Sequence, residues 1–120
     1  MAPRRVVVAE DDPDIRELLL RWLRTDERFA IAGSATNGVE ATDLVKAEQP
    51  DVLIIDLGLP VLDGASVLTH VRRAHPGTKI VVYSGDHSLP PDARSAADMV
   101  LLKAEFQLSE LGSALASLFD

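Results

Sequence analysis

Acidic residues follow two of the apolar runs of this sequence. Glu10, Asp11 and Asp12 come directly after the first run, and Asp56 comes directly after the third. If the fold brings Glu10, Asp11 and Asp56 together, their charges repel one another, and a hard divalent cation such as Mg²⁺ or Mn²⁺ relieves that repulsion. Asp12 has a second use, because it precedes Pro13 and is placed to cap a helix that begins there. The acids therefore predict a metal site beside a helix cap.

A hydroxyl and an ammonium group follow two later runs. Ser84 follows the fourth run and Lys103 follows the fifth. Alone, each is ordinary, since a serine before a glycine usually makes a turn and a lysine at a strand end usually faces solvent. Beside a carboxylate cluster, they supply what phosphoryl transfer needs, which is a cation to neutralise the spread charge and a hydroxyl to bond an oxygen. Aspartate carboxylates can themselves accept a phosphoryl group.

The apolar runs that precede these groups do not alternate with polar residues. Continuous β-branched runs of this length are typical of strands buried on both faces, as in parallel sheets. The runs, of which the second is the weakest, are residues 6–9, 29–32, 52–55, 80–83 and 100–102. In an open parallel sheet the carboxyl ends of the strands meet at one edge, where ligands bind. We therefore expect the carboxylates, the hydroxyl and the ammonium group to converge there.

Helical periodicity fills the intervals between the runs. The first helix is predicted to begin at Pro13 and to bury one stripe of apolar residues, namely Ile15, Leu18, Leu19, Trp22 and Leu23. Later helices are predicted at residues 39–48, 65–73, 92–97 and 108–120. The fourth is short because Pro90 and Pro91 cannot lie inside it. Strands and helices then alternate, which indicates an α/β fold with helices on both faces of a parallel sheet.

Length and composition limit the class of protein. The chain has 120 residues, which suits a single domain over residues 1–120, and 47% of them are hydrophobic, as in ordinary globular proteins. Cysteine is absent and no run suits a membrane span or a secretion signal, so we expect a cytoplasmic protein without membrane contact. The formal net charge of -7 repels phosphate backbones, so direct binding of this chain to nucleic acid is not expected.

On these predicted strand ends and in this order, the motifs resemble the receiver domain of bacterial two-component response regulators. The shared stretches are residues 8–16, 50–60 with 63–64, 81–85 and 101–103, so the resemblance extends over essentially the whole chain. Residues 35–38 and 101–105 are most similar to receivers of the LuxR/NarL type. The family implies a flavodoxin-like (CheY-like) doubly wound sheet of five parallel strands in the order 2-1-3-4-5, with a short fourth helix here.

The resemblance implies a role for each matching residue. Asp56 would accept a phosphoryl group from the phosphohistidine of a sensor histidine kinase. Ser84 would hydrogen-bond a phosphoryl oxygen, Lys103 would pair with the acyl phosphate, and Gly85 would leave its backbone accessible to the phosphate. The implied ligands of the Mg²⁺ ion are Asp11, Asp56, the backbone carbonyl of Gly58 and, through water, Glu10. The aspartyl phosphate would then shift the domain between two conformations, with no turnover of a separate substrate.

Three departures from the family pattern bear on signal output. The family usually has a tyrosine or phenylalanine three residues before the lysine, as a rotating switch, whereas this chain has Val100. The proline that usually follows the lysine is Ala104, and the stretch between Ser84 and Lys103 is shorter than usual. Asp56, the acidic pair, Ser84 and Lys103 are intact. We therefore expect phosphorylation chemistry, with output through the loop from His87 to Asp92.

Other functions stay open at this point. Val100 and the short fourth helix suit a degenerate receiver that acts as a constitutive protein-interaction module. A phosphatase of the haloacid-dehalogenase type also uses an aspartyl nucleophile, but it needs a second aspartate where this chain has Gly58. A flavin-binding module would need a phosphate-binding loop after the first strand, and this sequence has no Gly-rich or Ser/Thr-rich loop there. The resemblance leaves open a DNA-binding output domain after Asp120 and a phosphorylation-dependent homodimer.

Overall fold

The predicted apolar runs form the five strands of one parallel sheet. The computed structural model describes residues 2–85 and 89–120. The strands are β1 (Arg4–Ala9), β2 (Phe29–Ala35), β3 (Val52–Ile55), β4 (Lys79–Ser84) and β5 (Met99–Leu102). They pair in parallel in the order β2-β1-β3-β4-β5, and each contains its predicted run. The predicted sheet and its strand order are therefore confirmed.

Five helices connect or follow the strands. They are α1 (Pro13–Arg24), α2 (Gly38–Glu48), α3 (Gly64–Ala74), α4 (Pro91–Ala96) and α5 (Leu111–Ala116). Pro91 opens α4 at the first helical position, where a missing N–H costs nothing, so the two prolines start this helix and keep it short. The last helix was predicted as one continuous segment. Instead, 3₁₀ turns at Leu108–Glu110 and Ser117–Phe119 flank the α-helical part.

The sheet separates two apolar clusters, because alternate residues of a strand point to opposite faces. One face packs against α2, α3 and α4, and its buried residues include Leu53, Val45 and Val67. The other face packs against α1 and α5, and its buried residues include Leu19 and Leu111. Helices therefore cover both faces, as predicted. No helix of the described residues is long and apolar enough to cross a bilayer.

The buried stripe of α1 differs from the prediction. Trp22 and Leu18 are 40% and 41% exposed, whereas Leu19, Leu20 and Leu23 are buried. Three consecutive leucines make the periodicity compatible with two stripes, one centred on Leu18 and one on Leu20. Packing against the sheet selects the second, so the prediction that Leu18 and Trp22 lie in the core was wrong.

Two glycines allow helices to approach the loop that follows β3. A Cβ atom on Gly38 would lie 1.8 Å from the carbonyl oxygen of Leu62, and one on Gly64 would lie 2.5 Å from the Cα of Leu57. The Gly38 N–H also donates a hydrogen bond of 3.2 Å to the carbonyl of Pro60. These close approaches fix the loop that begins at Asp56.

Replacing Gly38 by alanine is expected to destabilise the protein by about 2–3 kcal/mol, because backbone on both sides must shift to admit the methyl group. Gly77→Ala is the matched control, since a Cβ there meets none of the described residues within 4 Å. Its effect should stay within about 0.5 kcal/mol. The measurement is the free energy of unfolding in urea. Equal effects of the two substitutions would contradict the close contact at Gly38.

Candidate functional site

Three carboxylates meet at the carboxyl edge of the sheet. Glu10 and Asp11 follow β1, and Asp56 follows β3, which pairs with β1 so that the two strands end side by side. One carboxylate oxygen from each of the three residues lies within 4.8 Å of the others. The Asp56 N–H donates to the carbonyl of Ala9 at 3.1 Å, which continues the pairing of the strands. The predicted convergence of the acids is therefore present.

Lys103 completes the cluster at the same edge of the sheet, where it follows the outermost strand, β5. Its backbone N–H donates to the carbonyl of Ser84 at 2.9 Å, which fixes its place after β5. Its Nζ donates to Oε1 of Glu10 at 2.9 Å and lies 3.6 Å from Oδ2 of Asp56. The ammonium group is thus shared between two carboxylates, and Glu10 is the nearer partner.

Glu10 is the most deeply buried of these acids, with its side chain 2% exposed. Its second oxygen, Oε2, accepts the N–H of Asp12 at 3.1 Å, and its backbone carbonyl accepts the Arg16 guanidinium at 2.9 Å. Burial raises the pKa of Glu10, against the opposing effect of the Lys103 hydrogen bond. Each oxygen of Glu10 therefore already accepts one hydrogen bond from the protein.

The protonated state of Lys103 is secured by its surroundings. Burial works to lower the pKa of Lys103, but the hydrogen bond to Glu10 and the charge of Asp56 outweigh it, so the pKa is raised. The ammonium group also lies 5.6 Å from the ring centre of Tyr83. A permanent positive charge therefore stands beside the Asp56 carboxylate.

A cavity of ≈ 480 Å³ opens next to Asp56 and Lys103. Its remaining lining residues are Leu57, Gly58, Ser84, Gly85, Leu89 and Pro90. Ser84 is the last residue of β4 and is buried, whereas Gly85 is exposed. Among the described residues, the Asp56 carboxylate is the one group within 4 Å of a Cβ built on Gly58, at 3.6 Å. The cavity is large enough for a phosphoryl group and has a carboxylate, an ammonium group and a serine in its wall.

Asp12 has the structural role that the sequence predicts. Its Oδ1 accepts the N–H groups of Asp14 at 2.9 Å and Ile15 at 3.2 Å, which is the arrangement of a helix N-cap. The cap holds the start of α1 and, through the Asp12 N–H, one oxygen of Glu10. Asp12 therefore positions the acidic cluster without belonging to it.

Val100 is partly buried and packs against the apolar cluster on the α3 and α4 side of the sheet. The loop that was expected to carry output, His87 to Asp92, lies partly outside the described residues, since these resume at Leu89. Leu89 and Pro90 line the cavity beside Asp56. The segment that leads into α4 is therefore in direct contact with the site.

Several contributing residues escaped the sequence analysis. The Arg16 guanidinium donates a hydrogen bond to the Glu10 carbonyl. The one feature of the sequence that could have indicated this contact is the position of Arg16, one helical turn after the cap residue Asp12. The ring of Tyr83 lies under the Lys103 ammonium group. The position of Tyr83 directly before Ser84 could have indicated that it lies near the site. Pro90 was noted only as a helix breaker, and nothing in its local sequence indicates that it forms part of the cavity wall.

The donor set fits a hard divalent cation. Three carboxylates with oxygens mutually within 4.8 Å match the oxygen ligands that Mg²⁺ prefers. Because Glu10 already bonds Lys103 and the Asp12 N–H, Asp11 and Asp56 are the carboxylates better placed to bind directly. This division agrees with a Glu10 contribution through water.

The raised pKa of Glu10 makes the stability of the metal-free protein depend on pH. The folded protein binds this proton more tightly than the unfolded chain, so wild type should gain stability relative to Glu10→Gln as pH falls from neutrality towards the ordinary value of 4.5. Lys103 stays protonated throughout this window, because its pKa is raised from 10.5.

Urea unfolding with a chelator, at a series of pH values, gives the difference between wild type and Glu10→Gln. The exposed Glu105→Gln serves as the control substitution. A difference that stays flat or falls on acidification, or that the control reproduces, would contradict the raised pKa that burial gives Glu10.

Comparisons with known proteins agree with this geometry. The family described as the response regulator receiver domain matches residues 6–114. The signal receiver domain of the response regulator NarL from Mycobacterium tuberculosis has a TM-score of 0.88 and 32% identity, covering 98% of this chain and 97% of that chain. The response regulator TrrA from Thermotoga maritima, solved in complex with Mg²⁺ and BeF, has a TM-score of 0.85 and 30% identity, covering 96% and 98%.

Curated relatives are longer than this chain. The transcriptional regulatory protein PdtaR of Mycobacterium tuberculosis is 35% identical over 111 residues, which are 91% of this chain and 53% of the relative. A protein-glutamate methylesterase/protein-glutamine glutaminase of Rhodospirillum centenum is 36% identical over 104 residues, 82% of this chain and 26% of the relative. The chain thus spans about a quarter to a half of these relatives. It belongs to the response regulator receiver domain family and is a phosphoryl-accepting domain of two-component signalling.

Proposed function

We propose that Asp56 is the phosphoacceptor of this receiver and that its donor is the phosphohistidine of a sensor histidine kinase. The observation that carries this assignment is the position of the Lys103 ammonium group, 3.6 Å from Oδ2 of Asp56 at the wall of a cavity of ≈ 480 Å³. The acids supply the negative charge that attracts a cation, and the lysine supplies the positive charge that a phosphoryl group needs.

We assign the cation as Mg²⁺, or Mn²⁺ in its place. Asp11, Asp56 and the backbone carbonyl of Gly58 would hold it directly, and Glu10 would do so through water. Mg²⁺ usually keeps several waters and takes only one or two carboxylates, which agrees with the occupied oxygens of Glu10. Bound there, it would neutralise charge on the carboxylates and on the transferred group.

The transfer itself is a displacement at phosphorus. A carboxylate oxygen of Asp56 forms a bond to the phosphorus atom as the bond to the imidazole nitrogen of the donor breaks, and the electron pair of that bond returns to the imidazole. Asp56 is held for this role by the hydrogen bond from its N–H to the Ala9 carbonyl. The product is an aspartyl phosphate on the protein.

Lys103 and Ser84 act on the transferred group. The Lys103 ammonium group, whose pKa is raised, stays charged and pairs with a phosphoryl oxygen. Ser84 lies in the cavity wall and bonds a second oxygen, and the exposed Gly85 leaves the backbone accessible. Since these groups are in place before the reaction, little reorganisation is needed when the charge arrives.

The wider role follows from this chemistry. The aspartyl phosphate shifts the domain between two conformations, and residues 1–120 form one receiver domain without turnover of a separate substrate. The domain acts in the cytoplasm, with the kinase as its partner and without membrane contact or direct nucleic-acid binding. A DNA-binding output domain in the longer protein, and a phosphorylation-dependent homodimer, are further partners that we propose. A degenerate receiver remains the second candidate, favoured by the aliphatic Val100.

Incubation with acetyl phosphate and Mg²⁺ separates the two candidates. Intact mass should increase by one phosphoryl group in the wild type, and Asp56→Asn should abolish the increase. Asp12→Asn is the matched control, since asparagine also caps helices and Asp12 already bonds Asp14 and Ile15. An unmodified wild type would support the constitutive module. An adduct that persists in Asp56→Asn would contradict the assignment of the acceptor.

Substitutions of Asp11 and Lys103, the two charged neighbours of Asp56, should impair phosphorylation in different ways. Asp11→Asn is expected to raise the Mg²⁺ concentration for half-maximal phosphorylation about tenfold or more, because it removes a direct ligand. Lys103→Met is expected to lower the rate at saturating Mg²⁺ about 100-fold, because it removes a charge that acts on the phosphoryl group.

Time courses of adduct formation over a Mg²⁺ titration measure both quantities. The exposed Lys46→Met is the control for the loss of a lysine. If Asp11→Asn changes only the maximal rate, or Lys103→Met only the Mg²⁺ dependence, the two roles are assigned wrongly.

A further inference from the structure

The side chains of Tyr83 and Lys103 lie on the same face of the sheet. Tyr83 belongs to the apolar cluster on the α1 and α5 side, and it pairs with Leu101 across β4 and β5. Lys103 comes two residues after Leu101, and its N–H still donates to the Ser84 carbonyl, so the alternation of faces continues as far as Lys103. The Lys103 side chain therefore leaves the backbone on the side of the sheet where the Tyr83 ring is packed.

Three groups of the described residues attract the Lys103 ammonium group. Nζ lies 2.9 Å from Oε1 of Glu10, 3.6 Å from Oδ2 of Asp56 and 5.6 Å from the ring centre of Tyr83. The two carboxylates attract it through their opposite charge. The ring attracts it through the electron-rich face of the aromatic system, which still acts on a cation at this distance.

These three contacts differ in how they respond to a phosphoryl group on Asp56. Such a group would add negative charge on the cavity side of Asp56, so the ammonium group has to exchange part of its contact with Glu10 for a contact with the phosphoryl group. Tyr83 is 6% exposed, and burial raises the pKa of its phenol, which is therefore neutral before and after the transfer. The ring consequently attracts the ammonium group equally in both states.

A lysine side chain benefits from such a neutral support. Its ammonium group lies at the end of a flexible aliphatic stem, and the Lys103 side chain is 22% exposed. Fixing the charge before the reaction lowers the reorganisation that the transfer requires. An aliphatic residue at position 83 would also fill the apolar cluster, but it could not attract the ammonium group.

We propose that Tyr83 is a positioning residue, whose ring holds the Lys103 ammonium group within reach of a phosphoryl group on Asp56. This inference rests on the proposed function, in which Lys103 pairs with that group. Tyr83 acts through Lys103 and does not touch the phosphoryl group itself. A residue that only packs the core would affect stability, whereas a positioning residue affects the rate of phosphorylation through the lysine.

Phosphorylation by acetyl phosphate, followed by intact mass over a Mg²⁺ titration, tests this role. Tyr83→Leu removes the ring and should lower the rate at saturating Mg²⁺ about threefold to tenfold, without changing the Mg²⁺ concentration for half-maximal rate. Tyr83→Phe keeps the ring and should retain at least about half of the wild-type rate. Val81→Ala is the control for a packing defect, because Val81 is buried in the same cluster, two residues earlier on β4, and it should react as wild type.

The double variant Tyr83→Leu/Lys103→Met separates positioning from general damage. If the ring acts through the ammonium group, Tyr83→Leu should change the rate less than about twofold once Lys103 is replaced by methionine. An undiminished loss in that background would show that the ring acts on something other than the lysine.

Pentafluorophenylalanine at position 83, introduced by stop-codon suppression, decides the test if Tyr83→Leu does not fold. This residue keeps the shape of phenylalanine, but its fluorine atoms remove the negative charge from the face of the ring. It should therefore react more slowly than Tyr83→Phe, by about threefold or more. Equal rates for these two proteins would show that the ring contributes its shape alone.

Four results would overturn the positioning role of Tyr83. They are a wild-type rate in Tyr83→Leu, an equal loss in Val81→Ala, an undiminished loss in the double variant, and equal rates with phenylalanine and pentafluorophenylalanine at position 83. Each of these leaves the assignment of Asp56 as the acceptor untouched. A wild type that acetyl phosphate does not modify would overturn the proposed function, and the role of Tyr83 with it.

Discussion

The site depends on a partly buried ion pair between Glu10 and Lys103 at the carboxyl edge of the sheet. Parallel pairing of β1 with β3 places three carboxylates together, and their repulsion would oppose folding if nothing balanced it. Lys103 arrives from β5 and shares its ammonium group between Glu10 at 2.9 Å and Asp56 at 3.6 Å. Removing either partner of such a pair leaves an uncompensated charge in a poorly solvated place. The same lysine therefore stabilises the unliganded fold and prepares the charge that a phosphoryl group on Asp56 requires.

The remainder of the fold keeps these few side chains in register. The Asp12 cap fixes α1 and one oxygen of Glu10, while the close approaches of Gly38 and Gly64 fix the loop after Asp56. Those constraints act on the side of the cavity that the loop after Asp56 forms.

Local patterns were sufficient to predict a parallel sheet and the residues at its edge, whereas the strand order came from the resemblance to receiver domains. Continuous apolar runs are specific for buried parallel strands, and parallel topology alone brings Asp56, Asp11 and Lys103 to one edge. The same reasoning failed for Trp22, because three consecutive leucines make two stripes equivalent until the helix packs on the sheet. It also could not show that Lys103 lies nearer to Glu10 than to Asp56, or that Arg72 holds the end of α4. Both depend on side chains far apart in the chain, 93 and 24 residues respectively, whose meeting is decided by packing and leaves no local signal.

The central claim is that the carboxylates of Asp11 and Asp56 bind a divalent cation beside Lys103. A crystal structure with Mn²⁺, located by its anomalous scattering, tests that claim most directly. The account predicts one strong anomalous peak in contact with Asp11, Asp56 and the carbonyl of Gly58, with the Lys103 ammonium group on the opposite side of the Asp56 carboxylate. A peak elsewhere, or an Asp56 side chain turned away from Asp11 and Lys103, would contradict it.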